Sequence, residues 1–323
     1  MARARLPFRL GGDLSFRVFT GCFALLLIAI VGAIAVELWR NSQLSIYKFG
    51  FGFWATRIWD PVAGDFGALP FIWGTLYSAI LALLLSTPVA LGIAIFLSEM
   101  SPAWARQPLV FLTELLAAIP SIVYGVWGAF VLAPWVRSLQ VYMPSVLKAT
   151  PFFSGPPLGY GMLSAALILS VMVIPYSASV AREVLKAVPL AQREAAYALG
   201  ATRWEAIRAA LFFARTGIVG AVMLGFGRAL GETMAVTMVI GNSPQISWSL
   251  NAPQYTMAAV IANEFTEAAD DLYLHALVEI GLVLFAITLV INVCSRLLIS
   301  SMTRARRPKA SVAVPIVAEP TAA

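Results

Sequence analysis

Apolar residues in this chain gather into six long runs, at about 18–38, 69–97, 109–135, 161–180, 216–240 and 272–299, separated by polar or Pro- and Gly-rich stretches. A helix rising 1.5 Å per residue needs roughly 20 apolar residues to cross a hydrocarbon layer about 30 Å thick. The runs meet that length, so the pattern predicts an all-α, polytopic protein with six transmembrane helices. Pro88, Pro120 and Pro175 fall within runs, where neighbouring helices can re-satisfy the freed carbonyls. The first run follows Arg3, Arg5, Arg9 and Arg17. It is longer than the apolar core of a secretory signal. Val36, Glu37, Leu38 and Trp39 offer no small-x-small cleavage site, so the run reads as a retained first span. The predicted organisation is a cytoplasmic N-terminus (1–17), a first span (18–38), an outer loop (39–68), a permease-like core (69–299) and a disordered cytoplasmic tail (300–323) rich in Ala, Val and Pro.

Composition agrees with the runs. The chain is 60% hydrophobic and 12% charged, against about 25% charged for a soluble domain. The positions of its Lys and Arg report orientation. With the N-terminus inside, sixteen of the 22 basic residues fall in cytoplasmic segments, five fall outside, and Arg228 is left within a span. Loop 241–271 carries Glu264, Glu267, Asp270 and Asp271 and no Lys or Arg, so it belongs outside. Both termini are therefore expected in the cytoplasm of a cell-membrane protein, with the basic C-terminal cluster against anionic lipid. Cys22 and Cys294 lie in apolar runs and His275 stands alone, which argues against a disulfide framework, a metal site or a His-based triad. There is no G-x-x-x-x-G-K-[ST] loop to cradle ATP, no nucleic-acid motif, and no cofactor signature.

Two segments carry candidate chemistry. Between runs four and five, Pro189 suits a helix first turn and Gly200 a helix stop. Thr202 with Glu205 makes a capping box for a second helix. The result is a helix–turn–helix at the cytoplasmic surface. Its first helix has an alanine-rich face, and Arg193 and Glu194 are suited to fixing its register on a partner; an ordinary surface helix fits the same residues. Within run five, Arg228 and Glu232 are four apart, so a continuous helix would put them on one face. Charges at that depth are costly and usually functional. Arg228 then offers a guanidinium to a passing anion while Glu232 holds it; a structural latch between helices is the competing reading. Gly225, Gly227 and Gly231 would allow close helix approach. Ser121, Tyr124 and Thr233 are candidate path lining, or local hydroxyls packed at kinks. Trp54, Trp59, Asp60 and Asp65 in one outer loop, and several prolines in another, suit an interface belt or a docking surface.

Glu194, Ala195 and Ala196, followed by Gly200, resemble the EAA loop of bacterial ABC-importer permeases, and the position between spans four and five matches. The usual Ile-x-Leu-Pro ending falls on Ala210, Leu211, Phe212 and Phe213 and is largely absent. Gly-Arg-Ala-Leu-Gly-Glu-Thr-Met-Ala-Val around Arg228 and Ile-Pro-Ser-Ile-Val-Tyr-Gly around Ser121 are similar to PstC-type permeases of phosphate importers, and 74–76 and 88–99 resemble the start of the common permease core. That resemblance implies a type I, MetI-like permease core. It also implies a second homologous permease, an ATPase dimer docked at Glu194, Ala195, Ala196 and Gly200, an external phosphate-binding protein, and a transport role for Arg228 and Glu232. It implies no catalytic residue in this chain. A permease for phosphonate, sulfate or molybdate, and a multispan membrane protein without transport activity, are the competing readings.

Overall fold

The computed structural model describes residues 10–304, which are mostly helical, with longer connections at 56–68, 149–161 and 238–256. In chain order the helices are α1 (Leu10–Arg40), α2 (Gln43–Phe49), α3 (Gly52–Ala55), α4 (Leu69–Ile95), α5 (Ala103–Ala118), α6 (Ser121–Trp127) and α7 (Ala133–Tyr142). They continue as α8 (Ser145–Lys148), α9 (Met162–Lys186), α10 (Leu190–Ala198), α11 (Arg203–Leu230), α12 (Met234–Thr237), α13 (Met257–Glu264) and α14 (Asp271–Arg304). Wide π-helical turns extend α4 through Phe96–Met100 and join α6 to α7 through Gly128–Leu132. Among the described residues, six stretches are long and apolar enough to cross a membrane: Leu14–Arg40, Leu69–Met100, Ser121–Tyr142, Met162–Lys186, Arg203–Leu230 and Asp271–Met302.

Two of the six differ from the apolar runs, each for a backbone reason. Run 109–135 is not one helix. Pro120 is extended (φ −58°, ψ 140°) and sits as the N-cap of α6, so α5 ends at Ala118 and the third span begins at Ser121. Run 216–240 is also broken. α11 stops at Leu230, residues 231–233 are non-helical, and the short α12 follows. α11 begins at Arg203, so the second helix of the expected surface motif is continuous with span five. Of the expected tail, residues through Arg304 extend α14; the remainder lies outside the described residues, as does most of the expected N-terminal segment.

The chain forms two compact units. The first comprises Met1–Leu84, Ile119–Met172 and Ala229–Leu289. One of its cores gathers Phe53, Phe66, Phe71, Met257, Leu277 and Ile280. Trp59 packs edge-on against both Phe66 and Phe71 at 4.8 Å, and its indole donates to Glu264 Oε2 at 2.8 Å. Tyr273 donates to the same oxygen at 2.7 Å. Trp59 is thus tied into the core of this unit rather than set out as a belt or docking residue. Gly74 explains itself here: a Cβ would collide with the Tyr255 carbonyl. Beside it the Thr75 hydroxyl accepts from the Met257 N–H at 2.9 Å. The other core of the first unit holds Tyr124, Leu132, Met162, Ile168, Val236 and Ile240.

The second unit comprises Leu85–Ala118, Val173–Arg228 and Val290–Ala323. Its core is dominated by small residues, with Ala94, Ala181, Ala210, Ala214 and Ala221 around Leu185 and Val188. Helices in lipid gain little from burying bulk, and small side chains let backbones approach for dispersion contact. Gly217 and Gly225 extend that logic. A Cβ at Gly217 would press on Val184; one at Gly225 would collide with Ser177 and stand 2.9 Å from Val173 Cγ1.

Candidate functional site

The segment expected to couple to an ATPase lies wholly in the second unit. Val188 is buried, Pro189 caps α10, and Leu190–Ala198 follows as a nine-residue helix with no buried residue. Glu194, Ala195 and Gly200 are exposed and Ala196 is half-buried. Leu199, 90% exposed, sits at the C-terminal corner. The helix closes as the glycine predicts. Gly200 adopts φ +81°, its N–H donates to the Tyr197 carbonyl at 2.9 Å, and the Ala201 N–H donates to the Ala196 carbonyl at 3.1 Å. The capping box is formed in both directions: the Thr202 N–H donates to Glu205 Oε2 at 2.8 Å, and the Glu205 N–H to Thr202 Oγ1 at 3.4 Å.

Arg193 departs from the expectation that it faces a partner. Its guanidinium donates to Glu99 Oε1 at 2.7 Å and to the Leu185 carbonyl at 2.9 Å. Arg203 donates to the Glu99 carbonyl at 2.8 Å. Glu99 is the penultimate residue of the π-helical extension of span two. The first turn of α10 and the start of α11 are therefore strapped to the end of another span. Glu99 was missed in the sequence because nothing local marks a carboxylate whose partner lies far along the chain. Nearby, Arg182 is buried and paired with Glu183 at 2.7 Å and Glu114 at 3.4 Å. That pairing ties α5, which buries no residue of its own, to α9.

Arg228 stands in the last turn of α11 and is exposed. Its guanidinium lies over the ring of Tyr176, on α9, at 5.6 Å. A cation in the last helical turn is favoured by the helix dipole, and the ring face adds cation–π attraction. Among the described residues, Arg228 belongs to none of the ion pairs. The expected shared helix face with Glu232 does not exist, because α11 ends at Leu230. Glu232 turns to the next element instead: its Oε1 accepts from the Ala235 N–H at 3.4 Å, capping α12. Thr233 is the N-cap position of α12 and makes a long contact to the Gly231 carbonyl, 3.5 Å.

In the first unit, α6 lies directly against α12. A Cβ at Gly125 would stand 3.0 Å from Ala235 Cα and 2.7 Å from Met238 Sδ. Ser121 opens α6 and is half-buried, whereas Tyr124 is 8% exposed and belongs to the apolar core with Ala235 and Val236. The two helix breaks, after Pro120 and around Glu232, thus begin two short helices that pack side by side. Ser121, Tyr124, Glu232 and Thr233 all belong to that pair of elements or their caps. Gly227 has open space around it and serves no close approach.

Residues 87–307 match the model of the family described as binding-protein-dependent transport system inner membrane component. The chain is 45% identical over 290 residues to the phosphate transport system permease protein PstC of Mesorhizobium japonicum, covering 88% of this chain and 89% of that one. It is 46% identical over 297 residues to the PstC of Haemophilus influenzae, covering 90% and 94%. A probable PstC of Methanocaldococcus jannaschii is 38% identical, covering 78% and 82%. Among solved structures, an inward-facing MetNI methionine ABC transporter chain superposes with a TM-score of 0.53 at 17% identity, covering 72% of this chain and 95% of that one. That likeness carries the fold, a MetI-like permease core. With its six membrane-length helices, the chain is a multi-pass member of the binding-protein-dependent transport system inner membrane component family.

Proposed function

We propose that this chain is one permease subunit of an ATP-driven importer, and that it translocates inorganic phosphate. The observation that carries the reading is Arg228, an exposed guanidinium held over Tyr176 at the end of a membrane span that breaks three residues later. Irregular backbone at membrane depth is tolerated where it is buried in protein or lines a water-filled cavity, and transporter sites recur at such broken helices. The identity to permeases named for phosphate transport supports the choice of substrate.

Phosphate carries up to two charges and several acceptor oxygens, so leaving water demands donors and neutralisation. A guanidinium offers a planar donor fork suited to such oxygens. A lone arginine, already engaged with a ring and a helix terminus, makes a weak and transient site, which suits release. In the first unit, Ser121 and Thr233 carry hydroxyls at the starts of α6 and α12. Tyr124, being buried, contributes by packing α6 against α12. Glu232 acts by holding the break open as the cap of α12 rather than as the ion-pair partner of Arg228.

High affinity then rests with an external phosphate-binding protein, and ATP hydrolysis with a separate ATPase dimer; this chain is not itself an enzyme. A second, homologous permease completes the membrane part. The exposed face of α10, with Glu194, Ala195, Ala196 and the Gly200 turn, docks on the ATPase, and both termini are cytoplasmic. The test is uptake of radiolabelled phosphate by the reconstituted complex in competition with sulfate, molybdate and a phosphonate. Unlabelled phosphate should abolish uptake of label, with the others at equal concentration leaving it intact. Equal competition by another oxyanion would reassign the substrate, and ATP-independent exchange would remove the importer reading.

A further inference from the structure

One buried carboxylate belongs to neither the coupling segment nor the helix break. Glu279 lies about two turns into α14 and is 2% exposed. Its Oε2 is buried with no hydrogen-bond partner among the described residues. None of the ion pairs there includes it. Ser45, on α2, is fully buried and sets its hydroxyl beside the carboxyl, and that hydroxyl too lacks a geometric partner. The hydroxyl can donate to the carboxylate and still accept, so the pair keeps acceptor capacity for a further donor. An apolar site that buries a carboxyl group without a donor costs free energy until something supplies one.

Glu279 faces a cavity of about 250 Å³, which it lines with Trp39, Ile46, Gly50, Phe51, Trp54 and Leu282. Every one of these residues belongs to the first unit. Two indoles and a carboxyl in an otherwise apolar wall form a recognition set for an organic cation, since tryptophan is the strongest side chain for cation–π attraction. Trp39 is the penultimate residue of α1, and Glu279 stands about 12 Å beyond the start of α14 at 1.5 Å per residue. The cavity is therefore at the end of two spans, the level of lipid headgroups. Around it, Tyr47 is 84% and Phe51 96% exposed, and the membrane-length window of α1 buries no residue. These are surfaces for acyl chains.

We propose that this cavity binds the primary ammonium of a membrane phospholipid headgroup of the ethanolamine type, with Glu279 as counter-ion, the Ser45 hydroxyl as second acceptor, and Trp39 and Trp54 as its walls. An ammonium brings three N–H donors to two acceptors. A choline headgroup carries the charge but no donor, and a glycerol headgroup carries no cation. The site is thus selective by chemistry, and it stands independently of the transported substrate.

The experiment is native mass spectrometry of the whole transporter complex released from nanodiscs holding equal amounts of ethanolamine, choline and glycerol phospholipids with matched acyl chains. The ethanolamine lipid should be retained roughly fivefold over the other two, equivalent to about 1 kcal/mol. Glu279→Gln should bring the ratio to about one. Trp54→Leu and Ser45→Ala, which leave the carboxyl in place, should each lower it, and they serve if the Glu279 variant does not assemble. Equal retention of the three lipids by the unaltered complex would overturn the proposal, as would an undiminished preference in Glu279→Gln or in both other variants. Displacement of the bound lipid by free ethanolamine would assign the pocket to a soluble amine and overturn the lipid assignment.

Discussion

Arg228 is set apart from the other arginines by its surroundings. A charge inside a membrane span costs several kcal/mol unless something compensates it. Here the described compensation is the face of Tyr176 and the C-terminal end of α11. Two substitutions separate charge from positioning. Arg228→Gln removes the guanidinium and should abolish phosphate uptake while the complex still assembles, read by co-purification beside uptake. Tyr176→Leu leaves the charge and removes the ring, worth about 0.5–1 kcal/mol at such a site, so uptake should fall roughly two- to fivefold. Tyr176→Phe keeps the face and should be close to unaltered. Normal uptake by Arg228→Gln would end the anion-handling account. An equal loss in the Leu and Phe variants would assign Tyr176 to its hydroxyl instead. Arg228 was legible because charge in an apolar run is visible in any sequence. Its ring partner was not, because Tyr176 sits on a different span and nothing in either segment announces the pairing.

At the scale of elements, α10, the proposed coupling helix, depends on two devices. Gly200 is the first. Its φ of +81° lies in the left-handed region, and a Cβ there would meet open space, so the requirement is conformational rather than steric. A β-branched residue pays about 1–2 kcal/mol for that conformation, whereas Asn tolerates it. Gly200→Val should therefore loosen ATPase co-purification or uncouple hydrolysis from uptake, and Gly200→Asn should retain most of both. Equal function in the two variants would show that the left-handed turn is dispensable. The second device is the Arg193–Glu99 pair, 2.7 Å and largely shielded. Hydrogen bonds to charged groups contribute about 1.5–3 kcal/mol. Arg193→Gln and Glu99→Gln should each weaken coupling, and the double variant should be no worse than the poorer single one. Fully additive losses would mean that the two residues act separately. The glycine stop, the capping box and the helix between them were readable from local residue order, since caps act over three or four residues. The strap to Glu99 and the break at Gly231–Thr233 were not. An apolar run reports that a segment belongs in lipid, yet it does not report where the backbone ladder is interrupted. Pro120 marked one interruption chemically; Glu232 marked the other only through a capping bond that becomes visible in three dimensions.

For the whole molecule, orientation decides whether α10 can meet a cytoplasmic ATPase, as proposed, and which loops can meet an external binding protein. It rests on charge asymmetry. Loop 241–271 holds four carboxylates and no basic residue, while the stretch from Arg182 to Arg215 holds six Lys and Arg. Basic residues resist transfer across the membrane during insertion, so the second stretch should be cytoplasmic and the first outside. The structure offers a clean way to ask. Its cysteines, Cys22 and Cys294, are both free, and each lies in a candidate span. Replacing both with serine leaves a background on which single cysteines report sidedness. Tyr197, half-exposed on α10, and Asp270, exposed before α14, are suitable positions. With a membrane-impermeant maleimide applied to intact cells or spheroplasts, Asp270→Cys should label at once, and Tyr197→Cys only after lysis. The reverse pattern would invert the chain, place α10 away from any cytoplasmic ATPase, and remove the basis for assigning Glu194, Ala195, Ala196 and Gly200 to coupling. Labelling of both from outside would mean that the number of crossings between them is even rather than odd. Span five as a membrane-crossing helix would then be wrong, even with every local helix of the structure intact.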